Sequence, residues 1–574
     1  MLKLSGDVCV AGVDVGSTLT KVVVGGAGVL ATTTGRTDTN YVRASARLLA
    51  DALDQARCAP EKLACIVATG YGRRRLPFAD RDITEITCHA RGVRALFPNA
   101  RTVIDIGGQD AKGIKLAPGG KVVNFVMNEK CAAGTGRFLE VMAAMLGLTV
   151  DELGSRSLDA TGAVGVSSVC TVFAQQEVLQ HLAAGIAIED VLAGLHAALA
   201  ARIHRMVRGL GVERDVVLTG GCAHNAGLVR ALEERLGMRV LVPSDPLLTG
   251  ALGAALLAAD AVERGETRGN GASAGRAAIA GAGAARGATL GPPRVFSASA
   301  RPPATASVSV FDLPRHAALG GPPIAGIDAG SLYTKAAVVD GARLTVAILR
   351  SEGNYAAVAE QALARALCRA GRTREALGAI GATGLGALKL AEVSRLDDVS
   401  CLTRGATRLF PGATQILDVG GNGTRAVRLG PGGAVRDFTV SGQCAAGSAR
   451  ILEVIAHLLG LPLDTLGSVS LQSAAPAAFS AGCAVFAETE AISLLTSGTA
   501  PADLLAGLHH SMAEKIVALA RKDRAGGGAA LAGGGAKDAG LVSHLAAALG
   551  AILVPPEPMA VSALGAALLA AEAR

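Results

Sequence analysis

The sequence has 574 residues, a formal net charge of +7 and no tryptophan, and aromatic residues make up only 3% of it. A chain of this length corresponds to about three to five domain-sized units, and the scarcity of aromatic side chains argues against nucleic-acid binding by base stacking. No stretch has the apolar density of a membrane-spanning helix of about 20 residues, so no membrane association is expected. Eleven cysteines without a signal-peptide pattern favour reduced thiols in the cytoplasm.

The first predicted element is a β-hairpin with a polar tip, formed by the apolar runs at residues 8–15 and 21–25. Gly16 at the tip lets the backbone approach a phosphate closely, and hydroxyl groups follow it at Ser17 and Thr18. Asp14 ends the first strand, where its carboxylate is suited to hold Mg²⁺ through water. Lys21 is a candidate phosphate ligand, although a surface lysine on a strand explains its position equally well.

Two further strands also end in glycines. Residues 101–106 form a predicted strand that carries Asp105 at its end, with Gln109 shortly after it. Residues 216–221 form another, which leads into a predicted helix at 224–236. Glycines at such turns leave backbone amides free to meet a nucleotide, although each turn alone is commonly only a turn. The candidate nucleotide-binding residues of these two segments are Gly107, Gly108, Gly220, Gly221 and Asn225.

Two cysteines 39 residues apart, Cys131 and Cys170, open the phrases CAAGTGRFLEV and CTVFAQQE. A predicted helix over residues 132–145 follows Cys131. Its N-terminus would offer free N–H groups and partial positive charge to an anion. Most of the other cysteines are interpreted as small buried side chains, and Cys88 is left out of any metal site. This group comprises Cys9, Cys58, Cys65, Cys88, Cys222, Cys368 and Cys401.

All of these features return 313 or 314 residues later. Cys444 follows Cys131 by 313 residues, and Cys483 follows Cys170 by the same number, with similar flanking phrases. A repeat this long indicates a duplicated domain, because solenoid repeats have only about 20–50 residues. Two equivalent halves favour packing as an intramolecular pseudo-dimer. The matching candidates of the second half are Asp328, Gly330, Ser331, Lys335, Asp418, Gly420, Gly421, Gly533 and Gly534.

The predicted boundaries follow from the repeat. Residues 1–260 form the first domain and residues 324–574 the second. Residues 261–323, between them, are rich in Ala, Gly, Pro, Ser and Arg. Such a composition cannot bury enough apolar surface to offset the entropy of the chain, so this segment is predicted to be a flexible linker.

The order of the glycine-rich strand ends resembles that of the actin, sugar-kinase and heat-shock-chaperone ATPase superfamily. Longer phrases narrow the resemblance: NEKCAAGTGRFLEVMA from Asn128, SSVCTVFAQQEV from Ser167, TGYGR from Thr69 and ITEITCHARG from Ile83. These phrases look like those of the ATP-dependent activators of 2-hydroxyacyl-CoA dehydratases and benzoyl-CoA reductases. The resemblance covers both halves and implies an α/β fold of paired ribonuclease-H-like lobes, present twice as a fused pseudo-dimer.

The resemblance also implies a function. The four cysteines Cys131, Cys170, Cys444 and Cys483 would hold one [4Fe–4S] cluster per chain, and each half would bind ATP and Mg²⁺. The implied catalytic residues are Asp14, Asp105, Gln109, Asp328 and Asp418. A ferredoxin or flavodoxin would supply the electron. The recipient would be a separate acyl-CoA dehydratase or reductase component that carries its own iron–sulfur cluster, including a reductase with a double-cubane cluster.

Two alternatives remain open at this point. A small-molecule kinase of the same fold, acting on a sugar or a carboxylate, explains the phosphate hairpins but gives the four cysteines no role. A chaperone-like ATPase would need a peptide-binding extension, and the sequence shows no separate one. Within the favoured class, Asn422 and Gly423 replace Gln109 and Asp110 of the first half. We therefore expect the first half to be the stronger ATPase.

Overall fold

The fold is taken from a computed structural model, which describes residues 8–37, 40–128, 131–167, 170–266, 307–351, 354–421, 423–441, 447–480, 483–520 and 528–573. The chain divides into two compact units, Met1–Ser299 and Ala300–Arg574. Among the helices within these ranges, no single one is both long enough and apolar enough to span a membrane. The bent pair Arg450–Leu459 and Leu463–Ser470 meets those criteria only when both parts are counted together.

The first unit contains two five-stranded sheets of the same topology. Its strands are β1 Cys9–Val15, β2 Leu19–Gly25, β3 Val29–Arg36, β4 Leu63–Thr69, β5 Arg81–Asp82, β6 Thr102–Ile106, β7 Ala111–Leu116, β8 Val122–Asn128, β9 Val216–Thr219 and β10 Val240–Leu241. The sheet orders are β3-β2-β1-β4-β5 and β8-β7-β6-β9-β10. In each sheet the first three strands are antiparallel and the last two join in parallel. The predicted ribonuclease-H-like lobes are confirmed.

Eight helices of the first unit flank these sheets in the described ranges. They are α1 Tyr41–Ala56, α2 Glu85–Leu96, α3 Gly136–Leu146, α4 Val150–Ser157, α5 Thr171–Ala183, α6 Ile188–Val207, α7 Ala226–Leu236 and α8 Thr249–Glu263. Two of them, α2 and α8, touch backbone to backbone. A Cβ on Gly92 would lie 2.0 Å from the carbonyl oxygen of Thr249, and one on Gly253 would lie 1.7 Å from that of Cys88. Only glycine fits at these two positions.

The second unit repeats this plan. Its strands are β11 Ser307–Asp312, β12 Ile324–Ala329, β13 Tyr333–Asp340, β14 Arg343–Arg350, β15 Ala379–Thr383, β16 Ser394–Arg395, β17 Gln415–Val419, β18 Thr424–Leu429, β19 Val435–Val440, β20 Ala529–Ala532 and β21 Ile552–Leu553. The sheet orders are β11-β14-β13-β12-β15-β16 and β19-β18-β17-β20-β21. Its described helices are α9 Tyr355–Ala370, α10 Asp398–Leu409, α11 Arg450–Leu459, α12 Leu466–Ser470, α13 Ala484–Thr496, α14 Pro501–Ala520, α15 Ala539–Leu549 and α16 Val561–Glu572.

The predicted linker, residues 261–323, is too long at both ends. Helix α8 continues to Glu263. Strand β11 pairs antiparallel with β14 along its whole length, from Ser307 opposite Ile348 to Asp312 opposite Arg343. The alternating run Ser-Val-Ser-Val-Phe has the period of a strand, and the edge of β14 gives it a partner. Residues 267–306, where most of the predicted flexibility falls, lie outside the described residues.

One pair of cysteines departs from the predicted reduced state. Cys9 begins β1 and Cys58 follows the last turn of α1, so the fold brings the two to the same end of the first lobe. They are joined as a disulfide, with their Cα atoms 6.9 Å apart. The prediction of a reduced thiol is therefore wrong for these two residues. The other described cysteines form no disulfide: Cys65, Cys88, Cys131, Cys170, Cys222, Cys368, Cys401 and Cys483.

Candidate ATP-binding clefts and cysteine loops

Each lobe places an aspartate at the end of its first strand, opposite a basic residue of the second strand. In the first lobe, Asp14 is paired across the sheet with Lys21 on one side and with Thr69 on the other. The other three lobes repeat the arrangement with the trios Asp105, Lys112 and Thr219; Asp328, Lys335 and Thr383; and Asp418, Arg425 and Ala532. The same strand register therefore places a carboxylate, a cation and a third residue side by side in each of the four lobes.

Asp14 lies in a tight cradle. The ammonium group of Lys21 lies 3.1 Å from Asp14 Oδ2, so the predicted role of Lys21 is compatible with its position. Gly70 has a φ of +83°, and a Cβ there would lie 2.5 Å from Asp14 Oδ1. Gly16 turns the chain between the two strands, and its amide donates to the carbonyl of Leu19 at 3.1 Å. The tip therefore leaves the Asp14 carboxylate and the Lys21 ammonium group side by side.

Asp105 is the most strongly partnered carboxylate of the four. Lys112 Nζ lies 3.2 Å from its Oδ2, and Thr219 donates a hydrogen bond to its Oδ1 at 2.8 Å. His89 Nε2 lies 3.8 Å from the same Oδ1. Burial alone would raise the pKa of Asp105, but His89, Lys112 and the Thr219 hydroxyl outweigh it and hold that pKa below its usual range. Asp105 is therefore an anion despite being almost fully buried.

Lys112 is the centre of a buried charge cluster. Its side chain is 2% exposed, and its ammonium group lies 2.8 Å from Asp110 and 3.5 Å from Glu85, in addition to Asp105. Burial alone would lower the pKa of Lys112, but these three carboxylates raise it above its usual value. Burial raises the pKa of Glu85 in turn, although Lys112 opposes that shift. The cluster thus sets one buried cation against three carboxyl groups.

The two lobes of the first unit meet at this cleft. A Cβ on Gly108 would lie 2.5 Å from Thr18 Oγ1, so the loops of the two lobes touch. A Cβ on Gly250 would lie 3.0 Å from Asp14 Oδ2 and 3.2 Å from His89 Nε2. His89 also makes a 3.0 Å hydrogen bond with Thr249. The predicted residues that these contacts connect are Asp14, Gly16, Thr18, Lys21, Asp105, Gly107, Gly108 and Gly220. Ser17 and Gln109 adjoin them along the chain.

Asn225 has a different place from the one predicted. It is 2% exposed. Its side-chain oxygen accepts from the amide of Leu228 at 2.9 Å, and its side-chain nitrogen donates to Val150 at 3.2 Å. Asn225 therefore caps α7, which begins at Ala226 after a short turn and not at residue 224. Its amide group is used within the protein, and only Gly220 and Gly221 remain as candidates from that segment.

The second unit keeps the first-lobe part of its cleft. Lys335 Nζ lies 2.9 Å from Asp328 Oδ2. Gly384, with a φ of +88°, packs against Asp328 as Gly70 does against Asp14. Gly330 turns the tip, and Ser331 follows it half-buried. This half of the second cleft has the same charges and the same geometry as the first.

The second-lobe part of that cleft differs. Asp418 faces Arg425 at 3.5 Å. Its neighbours at the positions of Thr219 and His89 are Ala532 and Leu402, which cannot donate a hydrogen bond. Burial raises the pKa of Asp418, against the opposing charge of Arg425. Gly533 has a φ of +84°, and a Cβ there would lie 2.5 Å from Asp418 Oδ1. Gly534, the other glycine predicted there, follows it.

The contact between the two loops has also changed in the second unit. Where Gly108 faces the hydroxyl of Thr18, Gly421 faces the apolar side chain of Leu332, with a virtual Cβ 2.4 Å from it. The backbone bond within this loop is kept, since Gly420 donates its amide to the carbonyl of Gly423 as Gly107 does to that of Asp110. Asn422 lies outside the described residues. The unequal hydrolysis expected from the sequence stays a prediction, and several changes now point the same way.

The second cysteine of each pair occupies the N-cap position of an α-helix. Cys170 is the N-cap residue of α5 and Cys483 that of α13. Cys131 instead precedes a short 3-10 turn, Ala132–Gly134, and α3 begins only at Gly136 after an extended Thr135. The predicted helix over residues 132–145 is therefore wrong at its start. Cys444 lies outside the described residues.

Three buried cysteines outside the predicted cluster have thiols that stay protonated. Burial raises the pKa values of the Cys88, Cys222 and Cys401 thiols to about 12, so these remain protonated at neutral pH. Beside Cys170, the buried hydroxyl of Thr171 has no hydrogen-bond partner among the described residues. Within those residues, no three or more His, Cys, Asp or Glu side chains are arranged to hold a metal ion. Neither unit alone contains more than two of the four predicted ligands.

Sequence reasoning missed Lys112, His89, Thr69 and Thr219. A signal for the lysine was available, because the spacing of seven residues between Asp14 and Lys21 recurs between Asp105 and Lys112. The threonines immediately precede the glycines Gly70 and Gly220. No comparable signal marks His89, whose position depends on how α2 packs against α8.

Comparison with known proteins identifies the family of both units. The model of the BadF/BadG/BcrA/BcrD ATPase family matches residues 11–258 and 325–570. The 2-hydroxyisocaproyl-CoA dehydratase activator of Clostridioides difficile is 47% identical over 251 residues, which are 43% of this chain and 94% of the relative. The (R)-2-hydroxyglutaryl-CoA dehydratase activating ATPase of Acidaminococcus fermentans is 43% identical over 250 residues, 43% of this chain and 95% of the relative.

Among solved structures, the activator of the 2-hydroxyisocaproyl-CoA dehydratase from Clostridium difficile with bound ADPNP is 45% identical. It covers 45% of this chain and 97% of that chain, with a TM-score of 0.43. Each relative thus corresponds in length to one of the two repeats. The resemblance inferred from the sequence, the tandem duplication and the assignment to an ATPase class are confirmed.

Proposed function

Because the chain belongs to the BadF/BadG/BcrA/BcrD ATPase family, we propose that it is an ATP-driven electron donor whose two fused units jointly hold one [4Fe–4S] cluster. The observation that carries the proposal is the recurrence of a cysteine pair in each unit, with one member of the pair capping a helix. The relatives are named as activators of acyl-CoA dehydratases. By extension, the recipient of the electron is a dehydratase or reductase component with its own iron–sulfur cluster, and the donor is a ferredoxin or flavodoxin.

The residues present fit such a cluster. Four thiolates are the ligand set of a [4Fe–4S] cluster, and Cys131, Cys170, Cys444 and Cys483 would supply them. The helix N-termini behind Cys170 and Cys483 offer N–H groups to an anionic group, and the unpartnered hydroxyl of Thr171 is a further donor. When bound, the cluster supplies one-electron transfer at low potential. The location that we propose is the cytoplasm, because most of the described cysteines form no disulfide.

The chain links the phosphate loops directly to the cysteine loops. The amides of Gly136 and Arg137, at the start of α3, donate to the carbonyls of Gly107 and Gly108 at 2.8 and 2.9 Å. In the second unit, the amide of Ala449 donates to the carbonyl of Gly420 at 2.9 Å. A phosphate that moves either glycine pair therefore pulls on the segment that follows Cys131 or Cys444. This link supports a mechanism in which the state of the nucleotide changes the surroundings of the cysteines.

Within this function, the two clefts contribute unequally. We assign hydrolysis chiefly to the first unit, where Asp14 and Asp105 would hold the Mg²⁺ of ATP and Gln109 lies in the loop next to them. The second cleft binds nucleotide and hydrolyses it slowly, since Asp418 lacks the hydroxyl and imidazole partners of Asp105. Among the described residues, two backbone amides join the start of α3 to the glycine loop in the first unit, and one amide, that of Ala449, joins the corresponding loop in the second.

The test is anaerobic purification of the full chain with counts of iron and sulfide, followed by electron paramagnetic resonance after reduction by dithionite. We expect about four irons per chain and a signal that changes when ATP is added. Cys131→Ala and Cys483→Ala, one in each unit, should each abolish the signal, because neither unit has enough ligands alone. A colourless protein that phosphorylates a sugar or a carboxylate would refute the proposal.

A further inference from the structure

In each unit, a segment without helix or strand precedes the second cysteine of the pair. As far as the structure describes them, these segments are residues 158–167, before Cys170, and residues 471–480, before Cys483. We call each of them a cysteine strap. A segment this long with no regular structure depends on side chains to satisfy its backbone amides. In both units the described part of the strap is fastened near its beginning and near its end.

The fastening near the beginning comes from an aspartate in the first turn of the following long helix. In the first unit, Asp190 Oδ1 of α6 accepts from the amides of Thr161 and Gly162, both at 2.9 Å. In the second unit, Asp503 Oδ1 of α14 accepts from the hydroxyl of Ser473 at 2.7 Å and from the amides of Ala474 and Ala475.

The middle of each strap lies directly on the same long helix. The contact is made at a glycine, Gly194 in α6 and Gly507 in α14. A Cβ on Gly194 would lie 2.2 Å from the carbonyl oxygen of Val164, and one on Gly507 would lie 2.1 Å from that of Ala477. Any larger residue at either position would push the strap off the helix.

The fastening near the end comes from a glutamate seven residues after the cysteine. Glu177 Oε2 accepts from the amide of Ser167 at 2.5 Å. Glu490 Oε1 accepts from the amide and the hydroxyl of Ser480, both at 2.9 Å. Seven residues are two turns of helix, so each glutamate reaches back along the helix that its own cysteine caps. The cysteine is thereby enclosed between its helix and a strap tied to that helix.

From this geometry we infer that Glu177 and Glu490 are positioning residues, which set the direction of the Cys170 and Cys483 thiolates. The inference rests on the proposed function for the role of those thiolates as cluster ligands, but the fastening itself does not depend on it. The strap is tied to α5 or α13 at its end and to α6 or α14 before that, so it holds the helix that bears the cysteine against the long helix. A ligand held in this way follows its helix and does not rotate away from it.

The two straps are not fastened equally. In the first unit, His181 of α5 also makes a 3.0 Å hydrogen bond with the carbonyl of Gly165. The corresponding residue of the second unit is Leu494, whose side chain has no polar group. The second strap therefore depends more on its glutamate. Loss of Glu490 should loosen Cys483 more than loss of Glu177 loosens Cys170.

The test compares Glu177→Ala, Glu177→Gln, Glu490→Ala and Glu490→Gln in the full chain. A hydrogen bond to a carboxylate is worth about 1.5–3 kcal/mol, or about tenfold or more in a rate. We expect an anaerobic chelator to remove iron about tenfold faster from the alanine variants, with a larger effect for Glu490→Ala, and the resonance signal to broaden. The glutamine variants should stay within about threefold of the parent, because their amide oxygen still accepts from the serine amide. Leu179→Ala, an exposed position on α5, is the matched control.

A second measurement is independent of the cluster. Hydrogen exchange on the metal-free chain should show faster exchange of the Ser167 amide in Glu177→Ala and of the Ser480 amide in Glu490→Ala, with protection kept in the glutamine variants. Unchanged exchange and iron release in both alanine variants would overturn the inference. A parent chain that binds no iron would instead refute the proposed function, and the exchange measurement would still decide the fastening.

Discussion

The second lobes of the two units differ far more than their first lobes do. Asp14 with Lys21 and Asp328 with Lys335 have nearly the same separations, 3.1 and 2.9 Å. By contrast, Asp105 lies in a cluster of charged and hydroxyl partners, whereas its counterpart in the second unit, Asp418, forms an ion pair with Arg425. That arginine also contacts Asp398 at 3.1 Å. Both units therefore keep the first-lobe wall of the cleft, whereas the full set of partners in the second-lobe wall is that of the first unit.

The segments around the second cysteines are alike in the two units, as the first lobes are. Both second cysteines cap a helix, and both straps carry the same two carboxylate fastenings. If a single cluster takes ligands from both units, neither pair can drift without loss of the other, whereas two separate clefts can divide their work. Under the proposed function, the comparison thus teaches that a shared cluster and two separate clefts would be under different physical constraints.

The largest effect should come from the carboxylates of the second lobes. Asp105→Asn should lower the rate of ATP hydrolysis by about 10²- to 10⁴-fold, which is the range for a positioned catalytic group. Asp418→Asn should change it by less than about threefold, because that carboxylate already lacks its donors. Steady-state hydrolysis and nucleotide stoichiometry on the full chain measure both. Equal losses from the two substitutions would end the assignment of hydrolysis to the first unit.

A large effect on stability is expected from the buried cation. Lys112→Met would leave the carboxylates of Asp105, Asp110 and Glu85 without their shared partner, and breaking a buried pair in this way costs about 3–5 kcal/mol. Arg425→Met should cost about 1 kcal/mol, because its side chain is 31% exposed and solvent screens its charges. Calorimetry with separate transitions for the two units would show the difference. Lys115→Met, on the same strand β7, is the control and should behave like Arg425→Met.

A smaller effect separates the hydroxyl partner from the carboxylate itself. Thr219→Ala removes the 2.8 Å hydrogen bond to Asp105 and reproduces the second unit, so hydrolysis should fall by about tenfold. The reverse change, Ala532→Thr in an Asp105→Asn background, should raise the residual hydrolysis of the second cleft severalfold. Nucleotide affinity, followed separately, should change by less than the rate. A Thr219→Ala variant with the parent rate would show that the hydroxyl does not matter.

The sequence predicted the parts of the fold that depend on local chemistry. A carboxylate and glycines at a strand end predict the same turn wherever they occur, so the hairpin at Asp14 and the strand at Asp105 were found correctly. The duplication was equally visible, because whole phrases recur at one spacing. The start of α3 could not be found in this way. Ala132 and Ala133 favour helix, but the bonds from Gly136 and Arg137 to a loop in another part of the chain hold Thr135 extended.

The remaining misses have the same origin in contacts between distant segments. Strand β11 lies in a stretch of low complexity, and only the free edge of β14 makes it a strand. An asparagine side chain can either bind a ligand or cap a helix. At Asn225 the packing of α4 against α7 decides in favour of the cap. Lys112 could be found as a repeat of Lys21, but not its burial, which requires Glu85 to reach it from α2.

The glycine contact between α2 and α8 has a consequence for how each cleft opens. At Gly92 and Gly253 the two helix backbones touch with no side chains between them, and Gly405 and Gly565 make the same contact in the second unit. Side chains that interlock would have to change rotamers before one helix could move along the other. At these glycines no side chain lies between the helices, so no rotamer change is needed there. Because shear motions are small slides of packed helices, a displacement of one helix along the other would meet the least side-chain obstruction at these contacts.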